Sequence, residues 1–251
     1  MHDPPADDLR REHTPTAIAA RLASTTRHSY LRDFVFGAID GTVTTFAVVS
    51  GVVGAHLPAG VAVILGLANL LADGFSMAVG NYLSTKSDRQ LVERARKIEE
   101  SHIDQIPEGE REEIRQIFAG KGFDGPMLEK IVGVITADRR RWVDTMVTEE
   151  FGLPLDGPSP LRAAGVTFAA FFVAGIVPLV PFFVSAEQLP LGVFATSAVA
   201  TGATFFFIGL LKGRFVSRSP LRSGIETLLM GGGAATLAYV VGLWLRAVVD
   251  V

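Results

Sequence analysis

Five stretches of roughly 20 residues or more, 34–55, 57–83, 163–186, 189–211 and 225–245, are almost free of charge. Each is long enough to cross a bilayer as an α-helix. Between the second and third lies one segment, 86–162, that holds 16 of the chain's 26 acidic residues. On averages alone, 49% hydrophobic and 20% charged residues would also suit an apolar soluble domain. The distribution excludes that reading, because the charge is confined to one water-facing module. Inside the five stretches the charges are Asp40, Asp73 and, near an end, Glu226. Carboxylates are costly in hydrocarbon and persist there mainly in ion pathways or proton relays.

Lysine and arginine in the connections set the expected orientation. The polar tail, residues 1–30, carries Arg10, Arg11, Arg21 and Arg27, with Arg32 just beyond. The link around His56 has no base, and the acidic segment is flanked by Lys86, Arg89 and Arg162. The next link has Glu187 and no base, and the last has Lys212, Arg214, Arg218 and Arg222. Basic and base-free connections alternate. The positive-inside rule therefore places the N-terminus and the acidic module in the cytoplasm and the C-terminus outside. The tail lacks the apolar core of a cleavable signal. An odd number of spans disfavours two equal inverted repeats in one chain, so transport would more naturally use a two-fold dimer. A net charge of −3 without a basic patch gives no reason to expect nucleic acid. With no cysteine, any metal site must use carboxylate, imidazole or thioether ligands.

The module reads as three helices. The first runs out of span 2 from about Lys86 to His102, uninterrupted by Gly or Pro. The second starts near Pro107 and stops at Gly120. The third is capped by Asp124, has Pro126 in its first turn, and runs through Trp142 and Met146 to Gly152. Apolar residues recur at helical spacing (Ile114, Ile117 and Phe118, then Leu128, Ile131, Val132 and Ile135), so the module can pack a small core. On the same stripes lie paired donors three or four residues apart: Glu99 with His102, Glu110 with Glu113, and Met146 with Glu150. Oxygen donors joined by one imidazole and one thioether suit a divalent metal of intermediate softness, such as Fe²⁺ or Mn²⁺. From spacing alone, a solvated acidic face explains them slightly better. Glu100, Glu108, Glu112 and Glu149 are read as solvated. Glu99-x-x-His102 is half of a di-iron carboxylate motif, but the chain has no second Glu-x-x-His.

In span 1, Asp40 lies about two turns inside and is followed by Thr42, Thr44 and Thr45. In span 2, Asp73 and Met77 are one turn apart, near Ser76 and Asn81. Such an acid can exchange a proton for a cation, and a thioether one turn away adds a softer ligand. Pro178 and Pro181 are expected to kink span 3. Glu226 could face the path or reach toward the interface.

Three runs resemble the vacuolar iron transporter family: DGTVTTFAVVSG (40–51), ADGFSMAVGNYLS (72–84), and LKGR with RSPLRSGIE (211–214 and 218–226). The resemblance extends over roughly 31–245, with five spans and a helical insert after the second. It implies an all-α polytopic membrane protein with five transmembrane helices. Its parts would be a cytoplasmic tail (1–30), spans 1 and 2 (31–88), a three-helix cytoplasmic metal-binding insert (89–157) and spans 3 to 5 (158–251). It also implies a homodimer that exchanges Fe²⁺, and Mn²⁺ as a second substrate, for protons and moves metal out of the cytosol. Asp40 and Met77 would line the translocation path; Asp73 and Glu226 are added to it from their position inside spans 2 and 5 and not from the resemblance. Glu99, His102, Glu110, Glu113, Met146 and Glu150 would bind metal in the insert, and the resemblance reverses the preference for a solvated face. His102 departs from the family's usual Glu, and Val147 stands where a further ligand is expected. The compact form suggests a bacterial inner membrane. Two rival readings are a membrane-anchored metal sensor or store and a di-iron oxidase. Neither needs ligands at membrane depth.

Overall fold

A computed structural model describes residues 10–24, 29–183, 191–215 and 219–249. Glu187, Arg218 and Arg27 lie outside the described residues. The described chain is helical: α1 (Pro15–Ser24), α2 (Leu31–Gly54), α3 (Ala59–Gln105), α4 (Pro107–Gly120), α5 (Gly125–Thr136), α6 (Arg139–Glu149), α7 (Pro160–Gly175), a 3₁₀ turn (Val177–Leu179), α8 (Val180–Phe183), α9 (Leu191–Phe215) and α10 (Pro220–Val249). It divides into two compact units, Met1–Tyr82 with Ser159–Val251, and Leu83–Pro158. Helix α3 is continuous from span 2 into the insert, as the absence of Gly or Pro after Asn81 leads one to expect.

Five helical segments of the described chain are long and apolar enough to span a membrane: Leu31–Gly54, Ala59–Gln105, Pro160–Phe183, Gly192–Phe215 and Pro220–Trp244. The chain is an integral, multi-pass membrane protein. Lipid tails are as apolar as leucine, so contact between spans depends on how closely their backbones approach. In α2, Gly37 and Gly41 lie one turn apart, against the carbonyl oxygens of Thr167 and Phe171 on α7. A Cβ at either position would collide with that oxygen. An apolar cluster of Val49, Val52, Ala62, Leu70, Phe171 and Leu179 extends the contact. Phe46, Phe194 and Tyr239 stack in series at 5.8 and 5.6 Å, joining α2, α9 and α10.

Span 3 shows how proline acts here. The α-helix ends at Gly175, and Pro178 sits in the 3₁₀ turn before α8. The expected kink takes the form of a 3₁₀ turn that interrupts the α-helix, where Pro178 offers no N–H to continue the ladder. The Pro178 carbonyl, left outside a regular helix, accepts a hydrogen bond of 2.7 Å from Ser197 Oγ.

The insert departs from the three-helix expectation at one place. The helix expected from Asp124 to Gly152 is two helices, α5 and α6, with the break at Ala137–Asp138. Asp138 is extended (φ −123°, ψ 114°), and its carboxylate accepts from the Arg141 N–H at 2.9 Å, capping α6. A short acid competes with the helix ladder for the backbone donors nearby, which is why a periodic apolar pattern alone overlooks such a break. Asp124 takes the cap position of α5, with Pro126 in the first turn, but makes no side-chain cap bond. The core beneath these helices is Ala95, Ile103, Ile114, Leu128, Val132, Ile135, Trp142, Val143, Met146 and Val147.

A substitution pair separates close packing from helix propensity. Gly41→Ala places a methyl against the Phe171 backbone, whereas a methyl at Gly51 meets open space. Gly41→Ala should lower the thermal midpoint of the detergent-purified protein, at a cost of about 1–3 kcal/mol. Gly51→Ala should leave the midpoint unchanged or raise it slightly. Equal midpoints would show that the α2–α7 contact is not limiting.

Candidate metal centre

The C-terminal end of α3 and the first turn of α4 meet around three donors. Glu99, His102 and Glu110 each offer one ligand atom, all within 4.8 Å of one another. Glu99 is 1% exposed and Glu110 is fully buried, while His102 remains exposed. His102 Nδ1 lies 3.1 Å from Glu110 Oε1. The contact does not have hydrogen-bond geometry: both Glu110 oxygens, and Oε2 of Glu99, are buried without a hydrogen-bond partner. Buried carboxylate oxygens are ordinarily paired, because leaving them unpaired costs free energy. A divalent cation held by two buried carboxylates and a rim imidazole would pair them. The chemistry of the donor set fits such an ion.

The other acids of the insert separate into two groups. Burial comes first in pushing Glu99 up to about 8; the neighbouring Glu110 carboxyl follows, then the charges of Glu150 and Glu113. Glu113 is raised by burial and then by Glu110, and Glu150 by burial and then by Glu113 and Glu110. Glu113 and Glu150 are exposed, yet they share one electrostatic neighbourhood with the buried pair. Helical spacing identified the pairs within each helix. Contact between helices selects Glu99 and Glu110 as the buried floor. Met146 is fully buried in the apolar core, packed with Ile103 and Ile114, the sequence neighbours of His102 and Glu113. Val147 is core as well. Elsewhere, Glu112 pairs with Arg115, and Glu149 pairs with Lys121 at 2.5 Å. Glu100 and Glu108 are exposed.

Two arginines hold α3 to α6 beside this cluster. Arg96 Nη2 reaches Asp144 Oδ1 at 2.5 Å, and Arg139 forks onto both oxygens of Asp104 at 2.5 and 2.8 Å. Arg139 also donates to the Glu100 carbonyl at 3.1 Å, a further bond from α6 to α3. Arg111 lies over the Trp142 ring at 5.4 Å and donates to Thr136 Oγ1 at 3.1 Å.

In the membrane unit, Asp40, Asp73 and Met77 are all half-buried. Met77 packs on the apolar cluster around Leu70 and Phe171. Thr44 donates to the Asp40 carbonyl at 2.9 Å and accepts from Asn69 Nδ2 at 3.2 Å. Asn81 Nδ2 donates to Asp33 Oδ1 at 2.8 Å and to Thr167 Oγ1 at 2.7 Å, joining three spans. Asp33, Asn69 and Thr167 were not singled out by the sequence, although polar side chains at membrane depth are the signal that marks them. Glu226 is exposed on α10 and, among the described residues, makes no hydrogen bond or ion pair.

The raised Glu99 carboxyl makes the metal-free insert sensitive to pH. The folded state keeps this proton up to about pH 8, whereas the unfolded chain releases it near the ordinary 4.5. Between those values the folded state binds more protons, so stability falls as pH rises. In chelator, the thermal midpoint followed by Trp142 fluorescence in a Trp244→Phe background should drop from pH 5.5 to pH 8. Glu99→Gln should remove most of that drop. A parent midpoint that is flat over this range would show that Glu99 ionises normally.

Comparison with known proteins adds an independent line. The sequence matches the VIT family over residues 31–243. It is 36% identical over 232 residues to a Toxoplasma gondii protein named vacuolar iron transporter, covering 89% of this chain and 77% of that one. It is 34% identical over 213 residues to vacuolar iron transporter 2 of Oryza sativa subsp. japonica, covering 83% and 85%. Against vacuolar iron transporter 1 of Arabidopsis thaliana the identity is 31% over 212 residues, covering 83% of each. These relatives are eukaryotic and named as vacuolar, so they lend no support to a bacterial inner membrane. With five apolar helices in place and the family match running from span 1 almost to the end of the last, the chain belongs to the VIT family.

Proposed function

We propose that this protein is a divalent-metal transporter that moves Fe²⁺, with Mn²⁺ as a second substrate, out of the cytosol in exchange for protons. The observation that carries the reading is the Glu99–His102–Glu110 cluster, with its buried, unpaired carboxylate oxygens. A structural acid cluster would be expected to recruit Arg or Lys, whereas Arg96, Arg115, Lys121 and Arg139 of the insert pair with other acids. The relatives' names, each a vacuolar iron transporter, supply the metal and the activity.

In this reading the N-terminus and the insert face the cytosol, as the basic and base-free links require. Two copies form a homodimer. The insert collects metal on Glu99, His102 and Glu110, with Glu113, Glu150 and the Met146 thioether completing the set. Asp40 and Met77 line the membrane path, with Asp73 and Glu226 as further residues along it. Since His102 contributes an imidazole where a carboxylate is usual, the site carries less negative charge and its occupancy falls more steeply with acid. The rival sensor or store draws on the same cluster and on the insert's own apolar core. It predicts binding without flux.

Two measurements test the assignment. In proteoliposomes with an inward Fe²⁺ or Mn²⁺ gradient, Asp40→Asn should abolish metal-driven proton movement, and unchanged proton movement would remove Asp40 from the path. Glu110→Gln should weaken Mn²⁺ binding to the purified chain by calorimetry at least tenfold, roughly 1.4 kcal/mol, while metal flux continues at a reduced rate. Equal titrations of variant and parent would mean that the buried pair does not hold metal.

A further inference from the structure

Residues 33–85, which contain the first two spans, carry Asp33, Asp40 and Asp73 but no lysine or arginine. Two hydrogen bonds between α2 and α3 fix how these acids face one another. Asn81 bonds Asp33 at 2.8 Å, and further along Asn69 bonds Thr44 at 3.2 Å. Moving from Asp33 to Thr44 along α2 passes Asp40; moving from Asn81 to Asn69 along α3 passes Asp73. Helices rise at one rate per residue, so the two aspartates fall at the same level between the bonded rungs, each one turn from the Thr44–Asn69 rung. Their carboxyl groups are within electrostatic reach of each other. All six side chains are half-buried. Among the described residues, neither the Asp40 nor the Asp73 carboxyl forms an ion pair or a side-chain hydrogen bond.

We propose that Asp73 is the second carboxylate of the membrane path, so that a divalent cation in transit is held between Asp40 and Asp73 with Thr44 and Asn69 as the adjoining neutral oxygen ligands. The inference rests on the transport reading above. A cation of charge +2 between two carboxylates is neutral overall, whereas one carboxylate would leave a net positive charge in a medium that penalises it. With a monovalent cation, two carboxylates without a fixed base keep a net negative charge, so the pair favours divalent ions. Asn69 donates its amide N–H to Thr44, so that bond does not use its carbonyl oxygen, which keeps its capacity to accept or to bind a cation. Met77, one turn from Asp73, lends the level a softer contact, and Asn81 with Asp33 and Thr167 ties three spans together on the far side.

The test uses full-length protein in proteoliposomes, with Mn²⁺ flux read over a range of concentrations, and Mn²⁺ calorimetry of the same preparations in detergent. Asp73→Asn should raise the KM for Mn²⁺ about tenfold or more, and Asp73→Glu should recover most of that loss. Calorimetric binding at the insert should match the parent in both, which shows that the variants are folded and that the effect lies in the membrane. Asn69→Ala should raise KM by a smaller factor. Parent-like KM and maximal rate in Asp73→Asn would overturn the second carboxylate while leaving the transport reading intact. Absence of flux in the parent would remove the transport reading itself, and the proposal with it. Should Asp73→Asn fail to purify, Asn69→Ala decides: a raised KM supports the proposal, and a parent-like KM counts against it.

Discussion

Hydrocarbon offers no hydrogen bonds and no counter-ions, so each polar group inside a span must be answered by another group of the protein or by a passenger ion. In this chain, that constraint decides what the spans look like. Where the backbone is regular, helices satisfy themselves. Where Pro178 breaks the ladder, Ser197 supplies a donor. Where Asp33 lies in the first turn of span 1, Asn81 reaches across to it and to Thr167. Asp40 and Asp73 are charged exceptions, paired in level but unanswered by any base in the first two spans.

The insert meets the same physics with water on one side. Its apolar stripes close over Ile114, Trp142, Val143 and Met146, and that closure carries Glu99 and Glu110 out of solvent along with them. Burial holds the Glu99 proton to about pH 8, and proximity to Glu110 adds to the effect. The surrounding surface acids take ordinary partners, as Glu112 does with Arg115 and Asp104 does with Arg139. Fixed bases are thus spent on the exposed acids and withheld from the buried ones. That leaves the buried carboxylates without a fixed counter-charge, next to the exposed imidazole of His102.

Much of this was legible in the linear pattern. The five spans follow from length and hydropathy, because a bilayer imposes both. The continuity of span 2 into the insert follows from the lack of a breaker between Lys86 and Gln105, and the pairing of Glu99 with His102 follows from helical spacing. The break at Asp138 was not legible, because the apolar period of Leu128, Ile131, Val132 and Ile135 continues in outline past a residue that stops the helix with its own carboxylate. The interruption in span 3 was anticipated from its prolines, whereas the Ser197 hydrogen bond to the Pro178 carbonyl comes from a different helix and was not.

The sequence by itself determined how many spans the chain has, which residues are too polar for where they sit, and which acids share a helix face. These are local matters of length, composition and a 3.6-residue period. The tertiary structure decided which of those residues meet. Sixteen acids in the insert were reduced to two buried ones only when α3 and α4 packed together, because burial is a property of the contact between helices. In the same way, Asp40 and Asp73, far apart in the chain, became one level of one seam only when the Asn69 and Asn81 hydrogen bonds fixed the register of span 1 against span 2.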